Sequence, residues 1–93
     1  MKLIWSHLAR ADRREIRAYI AVDNPRAAMR MDDIFSKAAA MLVEHPRMGK
    51  KGAIPGTREW LPHESYRLVY EVEGETVRVL TLIHTARQWP PRR

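Results

Sequence analysis

Residues 66–89 read YRLVYEVEGETVRVLTLIHTARQW, and this stretch decides the fold. β-Branched and aromatic residues crowd both sides of Glu73-Gly74 with few helix formers among them, the pattern of two strands joined by a tight turn. The spacing predicts strands over 66–72 and 77–83. In the first, Tyr66, Leu68, Tyr70 and Val72 alternate with Arg67, Val69 and Glu71, so Arg67 belongs on the face opposite Tyr66 and Leu68, or at its edge. Arg78 alternates with Val77 and Val79, within reach of Glu71 or Glu73 across the ladder. The hairpin carries Arg67, Arg78 and His84 and runs into Arg87 and Trp89, which makes it the expected seat of function.

Upstream of the hairpin, residues 58–61 read as a further strand, turned back by Pro62-His63-Glu64-Ser65. Residues 46–57, PRMGKKGAIPGT, hold two prolines and three glycines and read as a loop inside one domain. Residues 2–5, KLIW, form a short apolar strand ending at Ser6, a plausible helix cap. From 7 to 22 the pattern turns helical, with Leu8, Ile16, Tyr19 and Ile20 expected on one face. Asn24 and Pro25 have the chemistry of an N-cap followed by a first helical residue. Ala28, Met31, Phe35, Ala38 and Leu42 then step by three and four through a second helix that Pro46 limits to Glu44 or His45.

The order is thus β-α-α-β-β-β: an α+β fold in which an αα-hairpin packs on a mainly antiparallel four-stranded sheet. Ninety-three residues allow one domain, 1–93, with one modest core. Apolar residues make up 45% of the chain and charged residues 30%, a globular rather than a disordered balance. No apolar run approaches a membrane span or the core of a secretory signal, so the expectation is a cytoplasmic protein. There is no cysteine, and the net charge of +6 favours a polyanion or an acidic protein as partner.

These residues resemble a known family. The element order, GTREW before a short turn, YRLVYEV, and VRVLTLIH running into ARQWP are similar to the RelE/ParE superfamily of bacterial toxins from type II toxin–antitoxin modules, including plasmid-stabilisation toxins. The similarity spans nearly the whole chain, and its specific parts are YRLVYEV and IHTARQWP. The resemblance implies a small acidic antitoxin as partner, in a toxin–antitoxin hetero-oligomer. It also implies one of two activities on one fold. RelE-like members enter the ribosomal decoding site and cut mRNA; ParE-like members inhibit DNA gyrase without known nuclease chemistry. Ribosome-dependent mRNA cleavage is the first expectation, and gyrase inhibition the alternative.

Metal-independent RNA cleavage needs a base for the 2′-OH, cations for the phosphorane and an acid for the leaving oxygen. By resemblance, Arg67 falls on the arginine that RelE-like nucleases place at the scissile phosphate, and Arg58 on a basic position of the preceding strand. An ordinary surface pairing is the competing reading, with Glu71 or Glu64 for Arg67, and Glu59 or Glu64 for Arg58. His84 is the first candidate for proton transfer and His63 the second; either is otherwise a structural histidine. Lys50 and Lys51 are candidate backbone-phosphate contacts, Arg87 a phosphate clamp or stacking group, and Trp89 a base-stacking platform or a core cap. Arg10, Arg13, Arg14 and Arg17 form a basic helix stripe, read as a solvated face or a contact to RNA or antitoxin.

The chain departs from the nuclease pattern in two places. Trp89 stands near where RelE-like nucleases carry a tyrosine, and Trp60 where a lysine is expected. The four histidines have no metal-ligand spacing and no glycine-rich phosphate loop precedes a helix, so neither metal nor nucleotide cofactor is expected.

Overall fold

The computed structural model describes residues 1–91; the single-domain reading extends to Arg93, and Arg92 and Arg93 lie outside the described residues. The elements are β1 (Lys2–Trp5), α1 (His7–Ala21), α2 (Pro25–Glu44), β2 (Lys50–Lys51), β3 (Arg58–His63), β4 (Tyr66–Glu73) and β5 (Thr76–His84). Both helices start where their caps dictate. The Ser6 hydroxyl accepts the Ala9 N–H at 2.9 Å, and the Asn24 side chain accepts that of Ala27 at 3.0 Å, each satisfying a donor that the first helical turn leaves unpaired. Pro25 opens α2, and α2 stops at Glu44 ahead of Pro46.

The sheet is five-stranded, in the order β1-β5-β4-β3-β2, with β1 parallel to β5 and the other pairs antiparallel. Four strands were expected; the fifth is the two-residue β2, inside the segment read as a loop. Lysine has little strand preference, so nothing in the composition marks it. It forms because the loop after it closes on itself, with Gly52 N–H donating to the Thr57 carbonyl at 2.8 Å, which sets Lys50–Lys51 beside Arg58–Glu59. Strand β3 also runs two residues past its expected end. Pro62 falls where the register to β4 shifts between Trp60 and His63, an irregularity that spares it a ladder hydrogen bond.

The β4–β5 turn is Gly74-Glu75, with Gly74 at φ +57°, a two-residue loop with glycine first that keeps the twist of its flanking strands. A second irregularity lies between Val69 and Tyr70, where β5 carries one extra residue, Leu80. Beyond Trp5 no strand among the described residues covers that edge of β5, and α1 supplies the missing partner. The Asp12 carboxylate accepts the Leu82 N–H at 3.0 Å and the Thr81 hydroxyl at 2.6 Å.

The core lies between the helices and the face of the sheet carrying Tyr66, Leu68, Tyr70, Val77, Val79 and Leu82. From α2 it takes Phe35, Ala39 and Leu42, and Phe35 meets Tyr66 edge-on at 5.4 Å between centroids. Met31 packs against this cluster, and Ala28 and Ala38 are buried, as the second helix's periodicity requires. The first helix differs from expectation. Ala9 is its buried residue and Ile16 packs on the core, but Leu8 is 58% and Tyr19 79% exposed. Leu8, Asp12, Glu15 and Tyr19 step by four, three and four, a separate stripe beside the one that faces the core.

Arg13 also departs from the reading of a solvated basic face. Its Nε lies 2.9 Å from the Asp32 carboxylate, its Nη2 donates to the Ser36 hydroxyl, and its guanidinium sits 4.4 Å from the centre of the Trp5 ring. One arginine thereby ties α1 to both α2 and β1. Arg17 reaches the same carboxylate at 3.7 Å, while Arg10 and Arg14 stay exposed.

Candidate functional site

Strand register decides which expected groups meet. Arg58 is directly across from Tyr70, and Glu59 from Val69. Tyr70 points into the core, so Arg58 shares the helix-facing side, whereas Arg67, three residues before Tyr70, lies on the opposite side. The two arginines expected to share a phosphate are therefore on opposite faces of the sheet. Arg58 is held by the Gly49 carbonyl, which accepts from its Nη1 at 2.7 Å. Arg67 Nε lies 3.3 Å from Glu59 Oε1, and the other oxygen of that buried carboxylate accepts the Ala53 N–H at 2.8 Å. Arg67 is thus paired, but with Glu59 rather than with Glu71 or Glu64. Glu71 is taken by Arg78 at 3.0 Å, with Glu73 at 4.0 Å, the cross-strand pairing read from the sequence.

The segment between α2 and β3 is fastened from below by Tyr70. Its hydroxyl donates to the Pro46 carbonyl at 2.7 Å and accepts the Gly49 N–H at 2.9 Å. A Cβ on Gly49 would lie 2.6 Å from that hydroxyl oxygen, so no larger residue fits. Burial pushes the Tyr70 phenol above its usual range, against the opposing pull of the Gly49 hydrogen bond and the Arg58 charge. Lys50 and Lys51 follow on the outer strand, both exposed.

His63 and His84 flank a buried residue, Tyr66, to which the sequence reading gave no role. Tyr66 is across from His63 on one side and His84 on the other, so the three form a row over β3, β4 and β5. Their ring centroids are 6.4 Å and 5.3 Å from that of Tyr66. In each histidine Nδ1 accepts a backbone N–H two residues on, from Ser65 and Ala86, both at 3.0 Å. The proton of each neutral ring is thereby on Nε2. Burial, and secondarily the nearby Tyr19, raises the Tyr66 phenol above its ordinary pKa.

Tyr66, His84 and Arg87 share a cleft of about 550 Å³ with Glu15, Ile16 and Tyr19 of α1. A neighbouring cleft of about 490 Å³ holds Trp89 and Pro91 against Leu8 and Ile83. Arg87 lines both, and Trp89 is half-buried, its indole N–H enclosed with no acceptor among the described residues. Arg67 and Arg58 line neither cleft. Among the described residues no group of three or more His, Asp or Glu is arranged to hold a metal ion, and no helix is long and apolar enough to cross a membrane.

Tyr66 is the residue the sequence reading missed. Its signal was the register, since only the shifted pairing past Trp60 sets His63 opposite it, and that shift is invisible in an alternation of apolar and polar residues.

Known proteins agree with this architecture. The chain is 36% identical to Y4kP of Sinorhizobium fredii over 90 residues, 96% of this chain and 93% of that protein. It is 34% identical over 86 residues to Toxin RelE2 of Caulobacter vibrioides, covering 92% of this chain and 97% of that one. Its fold matches a chain of the chromosomal ParDE toxin–antitoxin system from P. aeruginosa with a TM-score of 0.78 at 23% identity, over 90% and 95% of the two chains. The family described as the ParE toxin of the type II toxin–antitoxin system parDE matches residues 3–89. The chain therefore belongs to the ParE toxin family, within the RelE/ParE superfamily, and is the toxin of a type II toxin–antitoxin module.

Proposed function

We propose that this toxin arrests growth by binding a protein target, DNA gyrase, and not by cutting RNA. The observation that carries the reading is the placement of the two arginines. Phosphoryl transfer without a metal needs free cations converging on one phosphate beside a proton-transfer group. Arg67 is instead held by the buried Glu59, Arg58 by a backbone carbonyl on the other face, and neither lines the cleft of His84. Trp89, where a nuclease would carry a tyrosine, has no exchangeable proton in the useful pKa range. The match to the ParE family supports the same choice. In this reading Lys50, Lys51 and Arg87 are cations of a binding surface, and the antitoxin neutralises the toxin by complex formation. The test is a supercoiling assay with purified gyrase, in which the wild-type chain inhibits and its antitoxin complex does not.

A second reading, ribosome-dependent mRNA cleavage, has one observation in its favour. Tyr66, His84 and Arg87 line one cleft, which brings a phenol, an imidazole and a guanidinium together. In that reading His84 exchanges protons with Tyr66 beside it and His63 on the far side of Tyr66, Arg87 holds the phosphate and Trp89 stacks a base. Codon-phased mRNA cuts after induction, lost in Tyr66→Phe and His84→Ala, are its signature.

A further inference from the structure

Register also sets two cations face to face. Lys51 on β2 is directly across from Arg58 on β3, and among the described residues no carboxylate pairs with either. Like charges directly opposite one another in an antiparallel ladder destabilise it, so the free chain carries a repulsion that a bound anion removes. Arg58 is half-buried and its direction is fixed. Its Nη1 donates to the Gly49 carbonyl at 2.7 Å, in the segment that the Tyr70 hydroxyl holds at Pro46 and Gly49. That bond takes one of five guanidinium donors and leaves the others for a ligand. A guanidinium pinned in this way loses little further freedom on binding.

The pair stands between two clefts at the other end of β4 from Tyr66 and His84. One, of about 400 Å³, is lined by Lys51, Thr57 and Arg58. The other, of about 810 Å³, is lined by Arg58 and Arg47 together with Met1 and the α2 C-terminus at Glu44 and His45. Arg58 and Val72 belong to both, which makes the two clefts one strip. Arg47 is exposed and, like the other two cations, has no carboxylate partner among the described residues. Glu44 is the one carboxylate lining either cleft, and it pairs with none of the three.

We propose that this strip holds the sugar–phosphate backbone of duplex DNA, so that the toxin contacts gyrase and the duplex on which gyrase acts together. The chemistry of the lining selects that occupant. Phosphate oxygens are recognised by cations and N–H groups alone. Protein partners are anchored on aromatic and apolar side chains, and single-stranded nucleic acid on stacking platforms. No Phe, Tyr or Trp lines either cleft. The chain's net charge of +6 draws it to a polyanion from a distance, and three aligned cations fix where the polyanion sits. Such a contact reaches phosphates and not base edges, so it reads no sequence. The DNA contact stands on register and charge; its use on gyrase-bound DNA rests on the reading of this toxin as a gyrase inhibitor.

The test is fluorescence anisotropy of a short labelled duplex of mixed sequence with the purified chain, from about 50 to 200 mM salt. The variants are Arg47→Gln, Lys51→Gln and Arg58→Gln, with Arg14→Gln on α1 as a control that removes the same charge elsewhere. Melting curves show that each variant folds, and Lys51→Gln is expected to melt no lower than wild type because it relieves the facing pair. Three phosphate contacts predict a slope of log affinity against log salt of about −3 for the wild type. Each strip variant is expected to reduce that slope by about one and to lose about fivefold in affinity at low salt, with the control unchanged. Equal losses in all four variants, or no duplex binding by the wild type, overturn the inference. So does competition by polyglutamate as strong as by unlabelled duplex, which gives the strip to an acidic protein, and so does tighter binding of a single strand than of the duplex. Supercoiling assays on the same samples separate this from the reading it rests on. Inhibition by the wild type that is undiminished in all three strip variants overturns the inference and leaves gyrase as the target. Duplex binding lost in the strip variants, with no inhibition by the wild type, upholds the DNA strip and overturns the gyrase reading.

Discussion

Arg67 Nε and Glu59 Oε1 are 3.3 Å apart across β3 and β4, and Glu59 is only 6% exposed. A carboxylate so enclosed is tolerable only while its partners stay, because removing one leaves the other charge in a poorly solvated site. Glu59→Ala also strips the Ala53 N–H of its acceptor. The expected loss is about 2–4 kcal/mol for Glu59→Ala and about 1–3 kcal/mol for Arg67→Ala, whose side chain is 21% exposed. Urea denaturation of both single variants and the double variant checks this. The double variant is expected to lose less than the sum of the two, the mark of a coupled pair.

Tyr70 is the fastening of the loop that carries Lys50 and Lys51. Tyr70→Phe removes a donor to Pro46 and an acceptor from Gly49, and is expected to cost about 1–3 kcal/mol. Faster hydrogen exchange at the Gly49 amide than at strand β4 would locate the effect. Gly49→Ala is expected to be worse than Tyr70→Phe, since its Cβ would meet both the Tyr70 side chain and, at 2.8 Å, the Glu59 carbonyl.

Asp12→Ala is expected to destabilise the chain by about 2–3 kcal/mol, because a buried hydroxyl and a backbone N–H both lose a charged acceptor. Asp12→Asn retains one oxygen and should recover part of that loss. Thermal unfolding of the two variants against wild type separates them.

The alkaline limb of the stability profile follows from Tyr66 and Tyr70. Both phenols are raised in the folded state, chiefly by burial. A raised folded-state pKa means the native chain holds its proton more tightly than the unfolded one. That contribution is fully present below the ordinary tyrosine range near pH 10 and is lost as pH rises through the folded values. Denaturation midpoints are therefore expected to fall above about pH 10, and less steeply in Tyr66→Phe.

Most of the fold is legible in the sequence because it is written in local chemistry. Ser6, Asn24 and Pro25 mark helix starts, Phe35 and Leu42 mark a core stripe, and Gly74 marks a hairpin turn. The parts that escape are set by long-range geometry. Leu8 and Tyr19 look like core residues, but Ala9 and Ile16 take the core face and leave them on a groove. Arg13 looks solvated until α2 brings Asp32 and Ser36 to it. Arg58 and Arg67 are each where the pattern sets them, and only the β3–β4 register reveals that they face away from each other. The same register assembles His63, Tyr66 and His84, a row that no linear spacing announces.

The central claim is that the toxin acts by holding a protein and leaves RNA intact. Mapping of mRNA 5′ ends across the cell after induction tests it most directly, with wild type and Arg67→Ala run side by side. The account predicts growth arrest by the wild-type chain with no new 5′ ends phased to codons. Codon-phased cuts that appear with the wild type would contradict it, whether or not Arg67→Ala removes them.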